Sequence, residues 1–192
     1  MRCLLYTYKA SLLKRSSMKL TILSDIHDNV WNLQKALDAP AVKETDALLC
    51  CGDLCAPFII KLLGQGYPKP IHIVLGNNDG DVASFIRVAA NFPNIHLHGE
   101  YFRGEFGGRT LAMNHYPDKG RLLAESGQYD VVCYGHDHQL NPGEWVGSAG
   151  NGEALLLNPG AIMGYNGAAL KDIPATCVVL DTDTLEVAVQ EL

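Results

Sequence analysis

Short apolar runs rich in β-branched residues recur along the chain: Leu20 to Leu23, Ala47 to Cys51, Ile71 to Leu75, Thr110 to Met113, Val131 to Tyr134 and Ala154 to Leu157. Each is of strand length and bounded by turn residues, so six strands are predicted. Between the early runs lie the helical patterns "VWNLQKALDA", "APFIIKLLG", "DVASFIRVAA" and "DKGRLLAESG". Strand alternating with helix predicts βαβ units with parallel strands. Hairpins are then expected in "EYFRGEFGGRTLAM" around Gly107 and Gly108, in "EWVGSAGNGEALLL" around Gly150 to Gly152, and in the last segment around Asp181 to Thr184. The composite is one α/β domain with a mixed sheet or two stacked sheets, and no linker or internal repeat divides it. His72, His96 and His98 fit strand positions and are read as structural, and Trp31 and Trp145 as core or partly exposed packing residues rather than substrate platforms.

The residues that follow these runs carry the functional signal. "SDIHDN", "CGDL", "GNND", "NHYP", "GHDH" and "NPGA" place one polar cluster at the C-terminal end of each of six strands. Ligands bind at that end of the strands in open α/β sheets, so six such clusters can converge on one site. Asp25 and His27 are two residues apart, as are His136 and His138; in extended backbone each pair points to one side and can hold a single ion. Asp53 follows a turn glycine and has two carboxylate oxygens, enough to bridge two cations. Asn77 offers a neutral amide oxygen and His115 an imidazole at a strand end. Each residue alone has an ordinary structural reading as a cap, a turn residue or a buried histidine. Together, two carboxylates, an amide and four imidazoles suffice for two metal ions sharing Asp53, the paired-ion arrangement of phosphatases and nucleases. Asp79, beside this cluster, is read as a cap of the helix beginning near Asp81.

Composition narrows the setting. The formal charge is −6, from 15 basic and 21 acidic residues, and the basic residues are scattered. An extended nucleic-acid surface, which needs clustered Lys and Arg, is therefore disfavoured. No apolar run approaches the roughly 18 residues of a membrane span. Six cysteines without a CxxC pair, most of them in apolar runs, read as buried reduced thiols of a cytoplasmic protein, with a zinc or disulfide role for Cys51 and Cys55 as the alternative. Residues 1–17 carry four basic residues and no acidic one, while Met18 opens a strand-first segment, "MKLTILSDIH". They are read as an N-terminal extension dispensable for function, with residues 18–192 as the functional domain.

The ordered set D-x-H, GD, GN-x-D, a later lone His and GH-x-H resembles the calcineurin-like metallophosphoesterase superfamily, from Met18 to the C-terminus. The short chain, the "SDIHDN" start and the late "NPGA" are most similar to its small bacterial and archaeal phosphodiesterase branch. The resemblance implies two mixed β-sheets packed as a sandwich flanked by helices, a four-layer αββα fold. It implies Asp25, His27 and His138 at one metal, Asn77, His115 and His136 at the other, and Asp53 bridging, so the two histidines of "YGHDHQL" serve different ions. The ions would be manganese, iron, nickel or zinc, with manganese favoured. The activity implied is hydrolysis of a small phosphodiester by water made acidic on the metals, its pKa lowered to about 7. Three positions depart from the family's pattern. Asn78 stands where many members have a histidine thought to protonate the leaving group, Ala161 replaces the serine of "NPGS", and Tyr116 replaces a common glycine. Asn78 cannot supply a proton, so diesters and activated esters are expected over alkyl monoesters; Asn77 and Asn78 are candidates for orienting a phosphate oxygen. A phosphomonoesterase and a non-catalytic scaffold of the same fold are the alternatives, and exposed sheet edges leave a homodimer open.

Overall fold

The computed structural model describes residues 17–148 and 152–192; the proposed extension up to Ser16, and the turn of the second hairpin at 149–151, lie outside the described residues. In chain order the elements are β1 (Lys19–Leu23), α1 (Val30–Asp38), α2 (Pro40–Lys43), β2 (Ala47–Cys50), α3 (Phe58–Gly66), β3 (Ile71–Ile73), α4 (Val82–Ala89) and β4 (Ile95–Leu97). They continue with β5 (Tyr101–Phe106), β6 (Arg109–Asn114), α5 (Pro117–Glu125), β7 (Val131–Cys133), β8 (Leu140–Ser148), β9 (Gly152–Pro159), β10 (Tyr165–Asn166), β11 (Lys171–Asp172), β12 (Thr176–Asp181) and β13 (Val187–Glu191). None of the described helices is long and apolar enough to cross a membrane.

Two mixed sheets form, in the orders β13-β12-β1-β2-β3-β4 and β5-β6-β7-β9-β8, with β10-β11 as a separate ribbon. Strands β1 to β4 are mutually parallel, as are β6, β7 and β9. All six expected strands are therefore parallel members of one sheet or the other, and the three expected hairpins are antiparallel pairs.

The period-2 alternation of side chains explains the layers. On β1 and β2, Leu20, Ile22, Ala47 and Leu49 face the core between the sheets, while Leu23, Leu48 and Cys50 face α1, α3 and α4. On the second sheet Leu111, Met113, Val131, Cys133, Leu155 and Leu157 complete the inter-sheet core, and Ala112, Val132, Ala154 and Leu156 pack outward with Ala124 of α5. Strands buried on both faces read as continuous apolar runs. The result is the four-layer αββα sandwich.

Local chemistry sets the helix limits. Asn29 caps α1 by accepting from the Asn32 N–H at 3.0 Å, and Pro40 forces Ala39 into extended backbone that ends the helix. Asp81, not Asp79, caps α4, through the Ser84 N–H. Trp31 is not a packing residue: it is 76% exposed, and Trp145 is more than half exposed.

His72 lies on the face of β3 turned towards the second sheet, stacked against His96, His98 and Phe102. Its Nδ1 is 3.0 Å from His98 Nε2. Burial, followed by the neighbouring charges of His98 and His96, pushes its pKa from 6.5 down to about 4. A histidine depressed in this way stabilises the fold in its neutral form. That contribution is complete above about pH 6.5 and is lost as pH falls towards 4. The full shift is worth about 3 kcal/mol, and screening of the half-exposed ring reduces this to about 1–2 kcal/mol. Urea denaturation of the wild type should show that loss between pH 6.5 and 4, and His72→Phe should flatten it; parallel pH profiles would contradict the assignment.

Candidate metal centre

The clusters that follow β1, β2, β3, β6, β7 and β9 meet at one end of the sandwich, braced backbone to backbone. The Asp25 N–H donates to Gly52 O, and the Ile26 and His27 N–H groups to Asp53 O. The Gly135 N–H donates to His115 O, and the Met163 N–H to Asp25 O. Asp25 Oδ2 accepts the His136 N–H at 3.0 Å, which ties the first loop of one sheet to the "GHDH" loop of the other.

Side-chain convergence does not come from extended backbone, as the two-residue spacing predicts. Asp25, His27, Asp28, Asp53, Cys55, His136 and His138 all have positive φ, and they are seven of the nine such non-glycine residues described. These tight left-handed turns let several side chains of one short loop reach the same point. Strained backbone of this kind persists only where the surroundings over-determine it, which favours a functional origin. The turns also need glycine neighbours. Gly52 has φ +103° and a Cβ there would collide with the Gly76 backbone and the His115 ring, while a Cβ on Gly76 or Gly135 would collide with the Asp53 or Asp25 carboxylate.

Two donor groups result. Asp25, His27 and His138 form one, and Asp53, His115 and His136 the other, each with its donor atoms within 4.8 Å of one another. In the first, His27 Nε2 is 3.2 Å from His138 Nε2, and Asp25 Oδ1 is 3.4 Å from His138 Nε2 and 3.8 Å from His27 Nε2. In the second, Asn77 Oδ1 is 3.2 Å from His115 Nε2 and 2.9 Å from His136 Nδ1. Between them, Asp53 Oδ2 is 3.5 Å from His27 Nε2 and 3.4 Å from His115 Nε2. Ligand atoms about 2.1 Å from one cation are separated by about 3.0–3.5 Å at tetrahedral or octahedral angles, so these spacings fit metal coordination.

Two observations test that fit. Asp25 Oδ1 and Ser24 Oγ are the buried side-chain polar atoms, among the described residues, that lack a hydrogen-bond partner. The imidazoles 3.4 and 3.8 Å from Asp25 Oδ1 do not satisfy it, and a buried carboxylate oxygen without a partner is costly unless a cation faces it. Second, His115 Nδ1 sits 2.8 Å from Cys51 O, and His138 Nδ1 2.6 Å from Tyr165 O. Carbonyls only accept, so each Nδ1 carries a proton, and Nε2, which faces the carboxylates, is the nitrogen left to bind either a proton or a metal ion. This is the arrangement that orients ligating histidines.

The electrostatics agree. Burial works against the charges on Asp25 and Asp53, yet His138 and His27 around Asp25, and His115 and Asn78 around Asp53, hold both carboxyls below the usual range. His138 is raised chiefly by Asp25. Burial opposes a charge on His115, but the Asp53 contact and both carboxylate charges outweigh it and raise its pKa. The site attracts positive charge, and protons and metal ions would compete for it.

Asn78 engages Asp53 directly: its backbone N–H reaches Asp53 Oδ1 at 2.9 Å and its side-chain amide reaches Oδ2 at 2.8 Å. Tyr116 packs edge-on against His115, tilts over His136 and carries Lys119 above its ring. All seven expected ligand positions and Asn78 thus come together in one cleft. Cys51 is buried and Cys55 half-buried, both as free thiols, so the disulfide alternative does not hold.

Sequence reasoning misassigned Asp79. Its carboxylate accepts the N–H groups of Asp53, Leu54, Cys55 and Gly76 at 2.7–2.9 Å and shapes the turn that presents Asp53. Helix capping was the wrong reading because Asp81 is nearer the helix start and takes that role. Asp79→Ala should therefore cost about 3 kcal/mol or more in chemical denaturation, since hydrogen bonds to charged groups are worth about 1.5–3 kcal/mol each. A loss below 1 kcal/mol would contradict this support role. Asn158 was also missed as an individual residue. It donates to Asp137 Oδ1 at 2.7 Å and accepts the Gly160 N–H, bracing the "GHDH" loop. Its only sequence signal is its place in the "NPGA" cluster.

The family model described as "Calcineurin-like phosphoesterase superfamily domain" matches residues 18–185. The chain belongs to that superfamily. A relative, a phosphodiesterase of Methanocaldococcus jannaschii, is 29% identical over 171 residues, covering 88% of this chain and 96% of the relative. Among solved structures, an archaeal phosphodiesterase superposes with a TM-score of 0.77 at 26% identity, over 91% of this chain and all of the other. Vacuolar protein sorting 29 from Cryptosporidium parvum matches with a TM-score of 0.62 at 17% identity over 92% of this chain and 98% of the other, a likeness of fold alone. Superfamily membership and the Asp/His groups make this a phosphoesterase that uses divalent metal ions.

Proposed function

We propose that the protein is a two-metal phosphodiesterase in which Asp25, His27 and His138 hold one ion, Asn77, His115 and His136 hold the other, and Asp53 bridges them. The observation that carries this is the position of Asp53 Oδ2, 3.4–3.5 Å from one imidazole of each donor group. The phosphodiesterase name of the archaeal relative supports the diester preference. Bound ions would supply Lewis acidity to the phosphoryl oxygens and acidify water for in-line displacement.

The chain's own residues supply the rest. Backbone carbonyls fix the Nδ1 proton of His115 and His138, Asn78 steadies Asp53, and Asn77 and Asn78 are proposed to orient a phosphate oxygen. The amide of Asn78 cannot hand a proton to the leaving oxygen, so good leaving groups are preferred. Manganese is the proposed ion, since mixed carboxylate, amide and imidazole donors suit it, with iron, nickel or zinc as substitutes. A cytoplasmic setting is proposed on the buried free thiols, and a homodimer on the open sheet edges. Residues 1–17 are proposed to take no part in the chemistry.

The test is hydrolysis of bis(p-nitrophenyl) phosphate by metal-stripped protein with and without manganese. Turnover that requires the metal supports the reading. Folded protein that is inert with manganese, iron, nickel and zinc would favour the scaffold alternative.

A further inference from the structure

Two adjoining hollows extend the candidate site to one side. The first, about 690 Å³, opens at His27, His136 and His138 and runs along the loop of residues 166–169. The second, about 450 Å³, continues from His138, Gln139, Asn166 and Ala169, which line both, to the β11 side of the ribbon. Tyr116 stands on the other flank, against His136, and lines neither hollow. A substrate centred on the metal ligands therefore has room for a large arm on this side.

The far hollow has a definite character. Leu140, Ile173 and Pro174 give it apolar walls, and Gln139, Lys171 and Glu191 add exposed polar groups whose side chains have no hydrogen-bond or ion-pair partner among the described residues. A purely aliphatic arm would desolvate these three without replacing their hydrogen bonds. A second phosphate is opposed by Glu191, which offsets the single cation Lys171. A flat heterocycle with both donors and acceptors on its edge suits apolar walls with a few convergent polar groups.

Resting on the phosphodiesterase reading, we propose that this groove is a nucleobase subsite and that the substrates are nucleoside-bearing phosphodiesters. The base lies between Leu140 and the Ile173–Pro174 segment with its edge towards Gln139, Lys171 and Glu191, and the sugar passes Ala169, which lines both hollows. Ala169 is exposed and outside the metal ligand set, so a bulky replacement closes the passage without touching the centre.

The experiment compares thymidine 5′-(p-nitrophenyl phosphate) with methyl p-nitrophenyl phosphate, which share a leaving group and differ only in the other arm. With the manganese-loaded protein, kcat/KM for the nucleoside ester should be at least about 10-fold higher, the order expected from roughly 1.4 kcal/mol of added binding. Ala169→Trp should erase that ratio and leave the methyl ester within twofold of wild type. Equal kcat/KM for the two esters in the wild type, or an equal loss of both in the variant, would overturn the subsite. Calorimetric titration with thymidine 5′-monophosphate and with methyl phosphate separates this from the catalytic reading. Nucleotide-selective binding that Ala169→Trp abolishes supports the groove even if no ester is cleaved. Equal or absent binding of the two in the wild type rejects the groove even if activity is robust.

Discussion

Asp53→Asn is expected to lower kcat/KM for an activated diester by about 10³-fold or more, with the fold retained. The magnitude follows from what one oxygen does. Removing a single transition-state donor in other enzymes costs about 10²–10³-fold, whereas Asp53 Oδ2 faces an imidazole of both donor groups, so its loss weakens both metal positions. An amide keeps the shape but not the charge. If its nitrogen takes the Oδ2 position, it also turns N–H groups towards His27, His115 and the Asn78 amide, where an acceptor is needed. The check is steady-state kinetics at saturating manganese, beside circular dichroism. A variant within 10-fold of wild type would show that Asp53 does not bridge.

Asn78→His should act in the opposite direction, on a different class of substrate. Position 78 sits against Asp53 through its backbone N–H, a contact that histidine keeps, and through its side-chain amide. An imidazole there can both donate and release a proton to a leaving alkoxide, and general acid catalysis is worth about 10²–10⁴-fold. The expected gain on an alkyl monoester such as glycerol phosphate is on the order of 10²-fold, the low end, because the new imidazole also inherits the contact with Asp53. Rates on bis(p-nitrophenyl) phosphate should gain nothing from the new acid, since nitrophenolate leaves without protonation. No gain on the alkyl ester would mean that proton supply to the leaving group does not limit this enzyme.

Much of this was legible in the chain because burial writes itself into strands. β1, β2, β7 and β9 lie between two apolar layers, so their runs stand out without a periodicity test, and the polar cluster after each marks the end that meets the ligand. The short pieces were not legible. β4 is short and only its first residue is buried, β10 and β11 have two residues each, too few for a pattern, and α2 is a single turn that begins at Pro40. At the site, ligand identities followed from residue type and order, but the geometry did not. The two-residue spacing of Asp25 and His27 suggests an extended segment, whereas tertiary bonds such as Met163 N–H to Asp25 O hold a left-handed turn. The second layer was invisible for a related reason. Cys51 and Tyr165 contribute carbonyl oxygens, which every residue has, and Asp79 serves through four backbone N–H groups that carry no side-chain signature.

The bridged pair of ions is the centre of the account, and electron paramagnetic resonance of manganese-reconstituted protein, with metal content measured on the same sample, addresses it without relying on activity. Two manganese ions per chain with the multiline signal of an exchange-coupled pair, giving way to uncoupled or lost manganese in Asp53→Asn, is the predicted result. A single uncoupled ion per chain in fully folded wild-type protein, unchanged by that substitution, would contradict it.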